Sequence, residues 1–172
     1  MKNTLDDHVI AYEGELQYDF DNDILLNWYP KRILDHTKES ESLLELGLGH
    51  GYTTNIFAEH FKKHIVLEGS DAVIQNFKKK YPECPIEIVK TYFEEFDTTE
   101  KFDVIVMGFI LEHVDNPKQI LLHFRKFLSP FGKLYVAVPN AEVLNRRLGH
   151  LAGILPNIQE LSEHDHISSF LN

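Results

Sequence analysis

Three glycines at alternate positions close a short apolar run in Ser42-Leu-Leu-Glu-Leu-Gly-Leu-Gly-His-Gly51. Leu43 to Leu46 has the length and character of a buried strand. Gly47, Gly49 and Gly51 form the turn, and Tyr52 to Phe61 reads as the helix that follows. Glycine has no Cβ and tolerates positive φ, so such a turn brings backbone N–H groups close to a ligand. Glu45 stands just before the turn. It is either a plain strand-end acid or a group placed to hold a cation. The dinucleotide fingerprint G-x-G-x-x-G is not met, because the third glycine comes one residue too early.

The rest of the chain repeats the alternation. A helix is expected over Asp21 to Thr37, from the roughly helical spacing of Ile24, Leu25, Trp28, Ile33 and Leu34, with a kink or break at Pro30. Strands are expected at Ile65–Leu67, Ile86–Val89, Phe102–Met107 and Leu134–Val138. Helices are expected over Asp71–Tyr81, stopped by Pro82, and from Asn116-Pro117 to Leu128, with proline at its favoured first position. Ser129-Pro-Phe-Gly132 reads as a turn and Ala141 to Ser162 as a loop. Phe57, Phe61, Phe77, Phe124 and Phe127 read as core residues. The alternation predicts an α/β fold, a doubly wound and mainly parallel sheet with right-handed crossovers. Ligands of such sheets bind beyond the carboxyl ends of the strands.

Composition narrows the function. The 172 residues suffice for one domain with a core, and 43% are hydrophobic. The net charge of −10 opposes binding to nucleic acid, where Lys and Arg must neutralise phosphates. Lys78-Lys79-Lys80 and Arg146-Arg147 read as solvated helix faces or ends. No apolar run is long enough for a membrane span, and Met1 to Asp7 lacks a signal-peptide core. One cysteine, Cys84, allows no internal disulfide, which fits a reducing cytoplasm.

Four segments together resemble the class I S-adenosylmethionine-dependent methyltransferases of the small-molecule type. They are Glu45-x-Gly47-x-Gly49-x-Gly51, Glu68 at the next strand end, Phe102-Asp-Val-Ile-Val-Met-Gly-Phe-Ile-Leu-Glu-His-Val-Asp-Asn-Pro117, and Leu128-Ser-Pro-Phe-Gly-Lys-Leu-Tyr-Val-Ala-Val-Pro-Asn140. The resemblance spans residues 40 to 140 and extends more loosely to His164-x-His166-x-x-Ser-x-Phe170. It implies a Rossmann-like methyltransferase fold using S-adenosylmethionine, with S-adenosylhomocysteine as product. It divides the single domain of residues 1–172 into an N-terminal helical lid (1–40), a cofactor-binding core (41–140) and a substrate-side segment (141–172).

By the same resemblance, Glu45, Gly47 and Gly49 hold the methionine end, and Gly51 permits close helix packing. Glu68 takes the ribose hydroxyls, with Gly69 and Ser70 along the adenine. Tyr92, Phe93 and Glu94 lie where relatives place an adenine-reading acid; here Tyr92 occupies the acid's usual position. Gly108 and Phe109 fall beside the sulfonium. The reaction implied is in-line methyl transfer to an oxygen or nitrogen of a small molecule. It rests on alignment and exclusion of water, with a base where the nucleophile carries a proton. His113 and His166 are the base candidates, while His113 also reads as a residue that packs or caps at a helix start. His164 and His166 could ligate a metal, but no third ligand is evident and none is expected.

Relatives continue past strand five with a helix and two more strands, for which this sequence has little room: either it is a truncated piece of a longer chain, or the second half of the sheet is missing. Strand five is then expected to be an exposed edge, open to pairing with a second copy. The same observation supports an alternative: a catalytically impaired module with this fold that binds S-adenosylmethionine or a partner. The helix around Trp28 and Tyr29 and the segment after Ala141 are the expected lid elements.

Overall fold

A computed structural model describes residues 19–140 and 142–158. The chain divides into two compact units, Met1–Ala137 and Val138–Asn172. In the first, the element order is α1 (Asp19–Asp35), β1 (Ser42–Leu46), α2 (Tyr52–Ala58), β2 (Lys63–Glu68), α3 (Asp71–Lys80), β3 (Glu87–Lys90), β4 (Phe102–Gly108), α4 (Pro117–Arg125) and β5 (Leu128–Ala137). Short 3₁₀ turns at Phe93–Glu95 and Leu111–His113 follow β3 and β4.

The strands form one sheet in the order β3-β2-β1-β4-β5, every neighbouring pair parallel. The order reverses direction between β1 and β4, so their carboxyl ends form the switch point of the sheet. β1 and β4 are covered on both faces. Leu43, Val104 and Val106 pack with Ile33 of α1 and Phe57 and Phe61 from the α2 segment. Leu44, Leu46, Ile105 and Met107 face the opposite way, onto Phe124 and Phe127. All five core phenylalanines are buried as expected. Local signals set the helix starts. Ser70 accepts the Val73 N–H to cap α3, and Asn116 accepts the Gln119 N–H ahead of Pro117 in α4.

A clamp at the amino end of the sheet fixes three strands. Asp103 of β4 accepts the Glu41 N–H, the Ser42 N–H and the Ser42 hydroxyl through one oxygen, and the Ser129 hydroxyl through the other. Desolvation alone raises the Asp103 pKa. These hydrogen bonds outweigh it and hold the carboxyl below its ordinary range.

Three expectations need correction. No break occurs at Pro30: α1 continues through it, with Pro30 buried. Its neighbours supply the packing that an isolated helix would lack. Ser129–Gly132 is no turn: β5 begins at Leu128 and carries those residues as an irregularity in its pairing with β4. Gly132 passes so close to β4 that a Cβ there would lie 2.7 Å from the Phe102 carbonyl oxygen. The bulge therefore replaces a reversal. Third, the segment expected as a loop contains α5 (Leu144–Leu151) in the second unit. Leu144, Leu148 and Leu151 recur at helical spacing there and are exposed. Among the described residues, no strand pairs with the outer edge of β5 and no helix is long and apolar enough to cross a membrane.

Candidate functional site

The glycine turn leaves β1 at the switch point in left-handed backbone geometry. Gly47, Gly49 and Gly51 have φ of 82°, 47° and 77°, a region that costs L side chains energy. Close packing adds a second reason for glycine. A Cβ on Gly47 would lie 2.6 Å from Ile110 Cδ1, and one on Gly51 would lie 2.6 Å from Phe77 Cδ2 on α3. The close helix approach expected at Gly51 is therefore the packing of the turn on α3.

Glu68 pins this turn from the end of β2. Its Oε2 accepts the Leu48 N–H at 3.1 Å and its Oε1 accepts the Ser70 N–H at 2.9 Å. One carboxylate thus holds the glycine turn and the β2–α3 connection together at the mouth of the sheet. Both oxygens keep lone pairs beyond these bonds, and the residue is only partly buried. Gly69 beside it is also partly buried. Ser70 is buried, and its hydroxyl is engaged in the α3 cap.

Glu45 sits deeper, 3% exposed, and accepts a hydrogen bond from His64 of β2. Next to it, Gly108 ends β4 against α1. A Cβ on Gly108 would lie 2.3 Å from the Tyr29 hydroxyl. That hydroxyl bonds Thr53 Oγ1 at 3.1 Å, and the Tyr29 ring meets Phe109 edge-on at 5.8 Å. Phe109 has φ of 56°, the one described non-glycine residue on the positive side. The strain lies at the carboxyl end of β4, beside the turn. Burial, then the charge of Glu45, raises the Tyr29 pKa well above its ordinary value, so the phenol stays protonated.

The remaining expected residues are more scattered. Tyr92 and Glu94 are exposed on the connection after β3, and Phe93 packs partly into the core. His113 is exposed at the end of the 3₁₀ turn after β4. His166 lies outside the described residues, as do His164 and Phe170. Among the described residues, no cluster of His, Cys, Asp and Glu could hold a metal ion. Sequence reasoning missed His64 altogether. It stands just before the expected strand Ile65–Leu67, and only the pairing of β1 with β2 brings it to Glu45.

The sequence matches a family described as a methyltransferase domain over residues 22–171. The chain belongs to that methyltransferase-domain family. This methyltransferase domain is 32% identical over 72 residues to the mitochondrial ubiquinone biosynthesis O-methyltransferase of Dictyostelium discoideum, covering 42% of this chain and 21% of that protein. It is 24% identical over 142 residues to the ubiquinone biosynthesis O-methyltransferase of Rickettsia bellii, covering 78% of this chain and 56% of that protein. The chain thus spans well under two thirds of either curated relative. In structure the domain resembles the N-methyltransferase NodS of Bradyrhizobium japonicum WM9, solved with S-adenosyl-L-homocysteine. That likeness has a TM-score of 0.66 at 21% identity, over 78% of this chain and 72% of NodS, and it shows the shared fold.

Proposed function

We propose that this chain binds S-adenosylmethionine at the glycine turn and transfers its methyl group to an oxygen or nitrogen of a small molecule. The observation that carries the reading is the Glu68 carboxylate. It secures Leu48 and Ser70 by their N–H groups and stands beside three glycines in left-handed geometry. That arrangement fits a nucleoside. The turn offers backbone without side-chain bulk, and a carboxylate at the second strand end can accept ribose hydroxyls.

The roles follow the order of the strands. Gly47 and Gly49 receive the amino-acid end above Glu45. Gly69 and Ser70 line the base by their backbone, and Tyr92, Phe93 and Glu94 close its far side. Gly108, Phe109 and Tyr29 wall the reacting end, where Tyr29 and Phe109 exclude water. The bound cofactor supplies an electrophilic methyl carbon on a sulfonium, whose leaving group is neutral. The protein's share is therefore alignment, with proton removal where the acceptor carries a proton. His113, exposed on the connection after β4, is the first base candidate and His166 the second. The names of the relatives include both oxygen and nitrogen methylation, which supports leaving the acceptor atom as either. The single cysteine supports a cytoplasmic setting.

Calorimetric titration with S-adenosylmethionine, S-adenosylhomocysteine and NAD tests the reading. One-site binding of the first two, absent for NAD and lost in Glu68→Ala, is expected. A folded chain that binds neither refutes it. Binding without transfer to alcohol, phenol or amine acceptors would instead favour a module that holds the cofactor without catalysis.

A further inference from the structure

The glycine turn and Glu68 leave one buried polar pair beneath them unexplained. Glu45 of β1 and His64 of β2 lie on the same sheet face, because Leu43 is in register with His64 and Glu45 with Val66. His64 Nε2 lies 2.9 Å from Glu45 Oε2, and the two side chains are 1% and 4% exposed. A carboxylate only accepts, so the shared hydrogen sits on Nε2. The other ring nitrogen, Nδ1, is buried with no hydrogen-bond partner. Phe57 packs edge-on against the ring at 6.4 Å. The imidazole thus has an apolar setting and one polar contact, the Glu45 carboxylate.

Stability alone does not explain such a pair. Buried ion pairs are commonly matched or bettered by apolar residues of similar size, and the neighbours Leu43, Val66 and Phe57 are apolar and fully buried. What the pair does provide is a carboxylate fixed in direction, two residues before Gly47. The described hydrogen bonds engage its Oε2 and not Oε1. The charge also reaches the reacting end, since Glu45 contributes to raising the Tyr29 pKa after burial.

We infer that His64 is a positioning residue: by holding Glu45 through Oε2, it orients the carboxylate to receive the ammonium of the cofactor's amino-acid end. The inference rests on the cofactor-binding reading above. It assigns a function to a residue that touches no ligand itself, and it limits His64's influence to ligands that carry the ammonium.

Two probes separate the effects. S-adenosylhomocysteine carries the amino-acid end; 5′-methylthioadenosine shares the nucleoside thioether and lacks that end. In calorimetric titrations of the full chain, His64→Leu is expected to weaken S-adenosylhomocysteine on the order of tenfold or more and methylthioadenosine by less than about twofold. His64→Gln keeps an N–H donor and should recover most of the loss. Glu45→Gln removes the charge and should reproduce the selective loss; where His64→Leu does not fold, His64→Phe removes the donor within a ring of similar size and takes its place. Equal weakening of both probes, or no weakening when His64 loses its donor, overturns the positioning role while the cofactor reading stands. Failure of the folded wild-type chain to bind either probe overturns both.

Discussion

Gly51→Ala should destabilise the fold more than Gly47→Ala, although both glycines have nearly the same φ, 77° and 82°. Placing an L residue in the left-handed region costs about 1–2 kcal/mol at either position. The surroundings then differ. The new methyl at Gly51 lies 2.6 and 2.9 Å from Phe77 ring carbons and 3.0 Å from Tyr81 Cε2. Phe77 is 5% exposed and packs at a tilt against the Tyr81 ring, centroids 5.2 Å apart, so the ring cannot move without disturbing α3. Overpacking of this kind adds roughly 1–3 kcal/mol. At Gly47 the close atom is Ile110 Cδ1, the end of a flexible, partly exposed side chain that can turn aside. The totals are about 2–5 kcal/mol for Gly51→Ala and about 1–2 kcal/mol for Gly47→Ala. Melting points should fall by roughly 4–20 °C and roughly 2–8 °C respectively. Thermal and urea unfolding followed by circular dichroism measures both. S-adenosylhomocysteine titration should reverse the emphasis. On the cofactor reading proposed above, Gly47→Ala displaces Ile110 and strains the turn that offers its backbone to the ligand, and should weaken binding by a folded chain more than Gly51→Ala does. Equal losses of stability, or a milder effect at Gly51, would refute the packing argument.

Other expectations follow from the Asp103 clamp and from the contacts of Tyr29. Asp103→Asn should lower stability at neutral pH, and the gap from wild type should narrow in acid. The folded-state pKa lies below the unfolded one, so the stabilisation is present above the unfolded value, about 4, and is lost as pH falls through the folded value. Urea midpoints between about pH 3 and 7 check the sign; a gap that widens in acid contradicts it. Tyr29→Phe should cost about 0.5–1.5 kcal/mol through the lost bond to Thr53. Gly108→Ala should cost less in that background than in wild type, because its clash falls on the Tyr29 hydroxyl. A double-mutant cycle with no coupling would contradict the contact.

Much of the fold was legible because each strand is a short apolar run bounded by turn residues. The buried phenylalanines, the helix start at Asn116-Pro117 and the three glycines act locally, and local signals survive in a sequence. The errors came where tertiary contacts override local chemistry. Pro30 inside α1, and Ser129-Pro-Phe-Gly132 inside β5, carry the usual marks of interruption, yet packing and pairing retain them. α5 shows in the helical spacing of Leu144, Leu148 and Leu151, within a segment that otherwise reads as a loop. At the site, Gly47, Gly49 and Glu68 stand together as their spacing implied. The bond between Glu45 and His64, and the wedge of Tyr29 over Gly108, depend on register and helix docking, which no single segment encodes.

The most direct test of the account is an amide NMR titration of the chain with S-adenosylhomocysteine. The account predicts that the largest shifts fall on Gly47, Leu48 and Gly49 of the turn and on Gly69 and Ser70 beside Glu68, with NAD producing none of comparable size. Saturable shifts centred on other residues, or none at all in a folded chain, would contradict the claim that the glycine turn and Glu68 form the cofactor site.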